Sequence, residues 1–297
     1  PPQNTALGDQ VIWARSPVRL DLAGGWTDTP PACFLHGGCV VNAAVELNGQ
    51  PPIQVFARVG SEPRITLRSI DLGITQHLES YDDILSYGEI GSGFSIPKAA
   101  LALAGFHPEF QSAPCSSLRE QLEAFGGGLE LSLLCAVPKG SGLGTSSILA
   151  ATVLGALSEC CGLGWDLMDI GNRTLALEQM LTSGGGWQDQ FGGITHGLKM
   201  IRTTPGLGQI PEIRWLPDHT FTSPALKNNL LLYYTGLTRV AKDILAEIVQ
   251  GMFLNQKDLR ETLEALALHA EEFYEVMQRG AFAEIGPLIQ RTWELNQ

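Results

Sequence analysis

The chain has 297 residues, 44% of them hydrophobic, enough apolar material for one large domain or two smaller ones. Its 19 Lys and Arg stand against 31 Asp and Glu, a formal net charge of −12. Nucleic acid and anionic membrane are disfavoured as main partners because both need cationic patches, whereas a nucleotide can be held locally by backbone N–H groups.

In chain order, residues 11–21 alternate loosely and are rich in Val, Leu and Ile, which predicts a strand. It runs into the turn Ala23-Gly24-Gly25-Trp26-Thr27-Asp28-Thr29-Pro30-Pro31. Residues 40–47 and 52–59 suit two further strands joined as a hairpin through Asn48-Gly49, and residues 64–68 a short one. Residues 96–104 read as a helix, and residues 129–137 as a strand ending in Pro138-Lys139. After a Gly/Ser-rich loop, residues 148–161 read as a largely buried helix, and residues 170–181 as a second, closed by Gly184-Gly185-Gly186. Residues 230–234 predict a strand, and residues 240–249, 259–278 and 282–296 amphipathic helices. Periodicity fades around residues 204–224, which places a domain boundary after residue 204, giving domains 1–204 and 205–297.

The cysteines at 33, 39, 115, 135, 160 and 161 show no C-x-x-C spacing and read as reduced thiols, with zinc not expected. No signal peptide opens the sequence and no apolar run nears the ~20 residues of a membrane span, so a cytoplasmic protein is expected. The sequence opens on Pro1-Pro2 and stops at Asn296-Gln297 straight after a helical pattern, as a piece of a longer protein would.

Strand, glycine-rich turn and helix together form a phosphate-holding arrangement, here Pro138-Lys139-Gly140-Ser141-Gly142-Leu143-Gly144-Thr145-Ser146-Ser147. Glycines let the backbone approach closely, N–H groups converge at a positive helix start, and hydroxyls add donors or a ligand for Mg²⁺. It is neither a Walker A loop nor a dinucleotide fingerprint. Taken alone, the same residues also suit a tight turn with a capped helix.

In company with the first turn, the loop resembles the second motif of the GHMP kinases, usually P-x-G-x-G-L-G-S-S, with Thr145 where Ser is common. The stretch Pro17-Val18-Arg19-Leu20-Asp21-Leu22-Ala23-Gly24-Gly25-Trp26-Thr27-Asp28 resembles the family's first motif. The first turn and Gly184-Gly185-Gly186-Trp187-Gln188-Asp189-Gln190 are most similar to the L-fucose kinases, which also occur fused to a nucleotidyltransferase that makes GDP-fucose. The resemblance implies an α+β GHMP kinase fold, with an N-terminal domain like the second domain of ribosomal protein S5 and a partial ferredoxin-like C-terminal domain. It implies ATP and Mg²⁺, and transfer of phosphate to the anomeric hydroxyl of L-fucose.

The resemblance also implies roles residue by residue. Asp189, in Gln188-Asp189-Gln190-Phe191, takes the place of the family's catalytic Asp, and Arg19 balances charge beside it; a capped turn and an Arg19–Asp21 ion pair are the plainer readings. Pro138, Gly140, Ser141, Gly142, Leu143, Gly144, Thr145, Ser146 and Ser147 would hold ATP. Glu178 and Ser146 would hold Mg²⁺, as in mevalonate kinases, unless Glu178 is a solvated helix-face residue. Gly25, Trp26, Asp28, His36 and Trp187 would meet the sugar: Asp28 by accepting from vicinal hydroxyls, each Trp as an apolar wall or simply as core. Asn42 and Lys139 are weaker candidates, and Tyr234-Thr235-Gly236-Leu237-Thr238-Arg239 resembles a stretch of fucose and heptose kinases.

The family's third motif, a G-A-G-x-G-G loop, has no counterpart after Asn255, where only Gly280 and Gly286 occur. Two other readings compete. A heptose-phosphate kinase would need Arg or Lys at the first turn to meet its second phosphate, and residues 23–32 contain neither. A non-catalytic sugar or nucleotide sensor would suit the missing third motif but not the presence of Asp189 and Glu178.

Overall fold

The computed structural model describes residues 2–89, 91–111, 115–181, 184–217, 219–236 and 241–297. The chain begins with β1 (Ile12–Ser16), β2 (Val18–Ala23), α1 (Ala32–His36), β3 (Cys39–Val45), β4 (Ile53–Gly60), β5 (Ile65–Ser69) and β6 (Ile74–Leu78). Three helices, α2 (Tyr81–Leu85), α3 (Ser95–Leu103) and α4 (Leu118–Phe125), precede β7 (Gly128–Cys135). Next come α5 (Thr145–Cys160), α6 (Leu167–Met180), α7 (Gln188–Ile194), β8 (Leu198–Arg202) and β9 (Glu212–Trp215). The remainder is helical: α8 (His219–Thr222), α9 (Pro224–Lys227), α10 (Ala241–Phe253), α11 (Lys257–Gln278) and α12 (Ile285–Leu295).

These elements gather into two compact units that interleave along the chain. The first comprises Pro1–Val18, Glu46–Lys139 and Gly144–Gly184, the second Arg19–Val45, Gly140–Leu143 and Gly185–Gln297. The boundary expected after residue 204 therefore falls inside the second unit.

In the first unit a five-stranded sheet runs β1-β4-β7-β5-β6, with β5 parallel to β7 and the other pairs antiparallel. Alternation sets its faces. Ile53, Val55, Ala57, Leu129 and Leu131 are fully buried on one side, where α5 packs across β4 and β1. On the other side Arg58 and Arg68 both pair with Glu130, and Trp13 stacks on Phe56. Helix α5, rich in Ala and Leu, is buried almost all round, with α6 and α3 against its free sides.

The second unit holds a four-stranded sheet, β2-β3-β8-β9. Every residue from Cys39 to Ala43 on β3 is buried, because α11 covers one face of the strand and α7 the other. Cys39, Val41, Ala43 and Met200 form a core with Phe273, Tyr274 and Met277 of α11 and Leu288 of α12. Phe273 is 1% exposed, so Phe273→Ala is expected to cost about 3–5 kcal/mol in urea unfolding, felt in this unit first.

Three expected elements differ. The single strand over residues 11–21 is two strands in different sheets, because Pro17 has no N–H with which to continue a ladder. The Asn48-Gly49 turn has positive φ at both residues, 52° and 71°, but closes only the bridge Leu47↔Gln50. Its flanking strands pair elsewhere, β3 with β8 and β4 with β1 and β7, where each gains longer ladders and a buried face. Residues 230–234 form no strand: Leu231 is 87% and Tyr233 77% exposed, and apolar β-branched or aromatic content makes a strand only where a ladder and a packing surface exist. Residues 237–240, with Leu237, Thr238 and Arg239 of the expected stretch, lie outside the described residues. Residues 205–297 contribute one described strand, β9, and otherwise helices.

Candidate active site

The phosphate loop leaves β7 and enters α5. Gly140, Gly142 and Gly144 have φ of 72°, 77° and 70°, left-handed values that a side chain would strain, and Gly144 is the N-cap of α5. As Gly144 has no side chain to cap with, the first N–H groups of this 16-residue helix get no side-chain acceptor from it. Thr145 Oγ1 is buried there without a hydrogen-bond partner, as is Ser141 Oγ further up the loop. The start of α5 with the orphaned Thr145 hydroxyl suits an anion with several oxygens. Pro138 and Gly140 are exposed, Leu143 half-buried.

Glu178 reaches this helix from α6, which a capping box at Asp166 and Asp169 starts. Residues 170, 174 and 178 recur at the helical spacing, burying Ile170, Thr174 and Glu178 along α6. Ser147 Oγ donates to Glu178 Oε1 in a short hydrogen bond. The structure thus brings Ser147 to Glu178, while Ser146 is exposed. One residue along a helix is a rotation of about 100°, which decides which hydroxyl turns inward. No group of three or more His, Cys, Asp or Glu gathers as a metal cluster among the described residues. The hard oxygens of Glu178 and the neighbouring hydroxyls suit Mg²⁺ as a partly hydrated ion beside a triphosphate.

In the second unit, Arg19 of β2 meets Asp189 in the first turn of α7. Arg19 Nε donates to Asp189 Oδ1 at 2.8 Å and Nη2 to the same oxygen. Nη1 donates to the Gly142 carbonyl at 2.8 Å, and the Arg19 N–H to Leu143 O at 3.3 Å, so this Arg joins the acid to the first half of the phosphate loop. Asp189 is the ion-pair partner of Arg19, not Asp21. The Asp189 side chain keeps 33% exposure against 12% for Arg19, leaving the carboxylate open to a ligand.

Asp28 ends the first turn, 4% exposed, its Oδ2 accepting the Gln188 N–H at 2.9 Å. Burial pushes its carboxyl up to about 7, and the charges of Asp189 and Asp21 add to this against the Gln188 N–H. Gly186 is needed beside it, because a Cβ there would overlap the Asp28 carboxylate. Gly25 likewise makes room for Asp21. Thr27 ties the turn to β3: its hydroxyl donates to Gly24 O at 2.7 Å and accepts the Cys39 N–H at 3.0 Å.

The other expected sugar contacts separate. Trp187 is 1% exposed and its indole donates to Gln209 at 3.3 Å, so it is packed core and not a wall for a ligand. Trp26, at φ 76°, leans on Leu263 and Leu266 of α11. His36 is exposed and edges a pocket of about 290 Å³ with Thr27, Ala32, Gly37 and Leu263. Asn42 is fully buried under α7 with neither amide atom bonded. Lys139, beyond the end of β7, is exposed. No local signal points to the Gln188 N–H as a partner for Asp28, since 160 residues separate them.

Residues 114–197 match the model of the GHMP kinases N terminal domain. The chain is thus similar to the GHMP kinases. It is 55% identical over 296 residues to the L-fucokinase/L-fucose-1-P guanylyltransferase of Bacteroides fragilis, covering 100% of this chain and 31% of that protein. It is 31% identical over 282 residues to the bifunctional fucokinase/GDP-fucose pyrophosphorylase of Arabidopsis thaliana, covering 95% of this chain and 25% of that one. The chain thus spans a third or less of the length of these two relatives. The mevalonate kinase of Methanococcus jannaschii shares its fold with a TM-score of 0.65 at 13% identity, over 96% of this chain and 78% of that structure. The α+β GHMP kinase fold expected from the motifs is the one observed. No helix among the described residues is long and apolar enough to cross a membrane.

Proposed function

We propose that this chain transfers the γ-phosphoryl group of ATP to the anomeric hydroxyl of L-fucose, giving fucose 1-phosphate, ADP and a proton. The observation that carries the reading is Arg19 holding Asp189 by Nε and Nη2 while its Nη1 holds the phosphate loop at Gly142. Phosphoryl transfer asks for an oriented nucleophile and balanced charge, and little covalent chemistry from the protein.

Asp189 takes or orients the proton of the attacking hydroxyl, and Arg19 holds that carboxylate in place. Loop N–H groups and the hydroxyls of Ser141 and Thr145 bind phosphate oxygens. Glu178, with Ser147 or Ser146, holds Mg²⁺, which neutralises phosphate charge when bound. Asp28 accepts from sugar hydroxyls. The identity to two proteins named as fucokinases supports fucose, and residues 23–32, without Lys or Arg, support a neutral sugar over a heptose phosphate. A guanylyltransferase or pyrophosphorylase, named in both relatives, would consume the product, and the cytoplasm would supply the ATP.

An ADP-release screen of L-fucose, galactose, mannose and a heptose 7-phosphate with the full-length protein tests the reading. Fucose is expected to turn over; turnover with the heptose phosphate alone would overturn it. Glu178→Gln is expected to raise the Mg²⁺ concentration for half-maximal rate about 10-fold or more while leaving fucose KM within a few-fold. An unchanged Mg²⁺ dependence removes Glu178 from the metal.

A further inference from the structure

Helix α7 carries Asp189 yet has only seven residues, too few to hold its own conformation or place. A buried ammonium meets its last turn. Lys199 of β8 is 0% exposed, and its Nζ donates to the Gly192 carbonyl at 2.9 Å and to Gly197 O at 3.2 Å. Burial alone governs its basicity, pushing the ammonium down to about 7, with no carboxylate among the described residues to support the charge. An unpaired buried cation is destabilising, and a methionine would fill the same space at less cost. What a methionine would lack is the hydrogen bond to the end of α7, where a positive charge also suits the carbonyl end of a helix.

The surroundings give that bond a purpose. The antiparallel register sets Asn42 opposite Lys199, so both side chains rise from the same face of the sheet. A Cβ at Gly192 would lie 3.0 Å from Asn42 Nδ2 and 3.1 and 3.2 Å from Cβ and Cγ of Arg19. The residue whose carbonyl Lys199 holds is therefore pressed against the stem of the arginine that grips Asp189.

We infer that Lys199 is a positioning residue, whose ammonium clamps the end of α7 and so keeps Asp189 on Arg19. The kinetic part of this rests on the sugar-kinase reading; the structural part does not.

The test compares Lys199→Met, Lys199→Arg and Gly192→Ala in the full-length protein. In Lys199→Met the amides of residues 188–194 should exchange about 10-fold faster with solvent, while those of α5 stay as in the wild type. Turnover of fucose should fall about 10²-fold in kcat with KM for sugar and ATP within 3-fold, and Lys199→Arg, which keeps charge and donors, should recover most of it. If the Met variant does not fold, Gly192→Ala, which keeps the ammonium but lifts α7 off Arg19, should show the same local exchange and the same kcat-only loss. Unchanged protection of α7, acceleration spread evenly over the unit, or a joint rise in KM overturns the inference. Should the wild type not phosphorylate fucose, the kinase reading fails, and the exchange of residues 188–194 still decides the role of Lys199.

Discussion

Asp189→Asn is expected to lower kcat for fucose by about 10²–10⁴-fold while leaving the sugar KM within a few-fold. Asn has nearly the same shape and keeps a carbonyl oxygen for the Arg19 donors, so the pair at 2.8 Å and the start of α7 survive. What disappears is a group able to take the proton of the attacking hydroxyl. The measurement is steady-state ADP release at saturating sugar and ATP. A variant with the wild-type rate would remove Asp189 from the chemistry. Arg19→Lys should resemble it more weakly, since a single ammonium cannot reproduce the guanidinium fork that reaches both Asp189 and Gly142.

Asp28→Asn is expected to raise the fucose KM about 10–100-fold, the worth of a hydrogen bond to a charged acceptor, with kcat less affected. The wild type should carry a matching pH dependence. Its carboxyl is pushed up to about 7 by burial first, so below pH 7 the protonated fraction grows and the sugar KM should rise, approaching 10-fold per pH unit. The same shift has a stability consequence of opposite sense from a paired carboxylate. The folded protein binds this proton more tightly than the unfolded chain, so the contribution is favourable in acid and is lost as pH rises from about 4 to 7. At pH 8 burying the charge costs up to about 4 kcal/mol, an upper bound. Asp28→Asn should therefore gain most stability in urea unfolding at pH 8 and markedly less at pH 5. Equal effects at both pH values would show that Asp28 titrates normally, whatever the enzyme's activity.

The candidate site was legible in unequal parts. The loop over residues 138–147 could be read directly, because three glycines at alternate positions before an Ala- and Leu-rich run allow few conformations other than a left-handed turn into a helix. Asp189, Arg19 and Asp28 were visible through their glycine-rich or strand contexts. Trp187 was not: a tryptophan after Gly184-Gly185-Gly186 looks accessible, and only the packing of Gly38 against its ring shows it to be enclosed. Lys199 was equally hidden, one cation in an apolar strand with nothing local to name its partner.

The sequence by itself determined the elements with strong local periods, the phosphate loop, and the acids and arginine available to a kinase, because turn chemistry and helical spacing act within a few residues. Tertiary structure alone decided which groups meet. It split residues 11–21 between two sheets at Pro17 and dissolved the expected hairpin into β3–β8 and β4–β7 ladders. It paired Arg19 with Asp189 across 170 residues instead of with Asp21 two positions away, and turned Ser147 instead of Ser146 toward Glu178. Each outcome depends on burying a particular face against a distant segment, and a side chain's partner follows from that face, not from its neighbours in the chain.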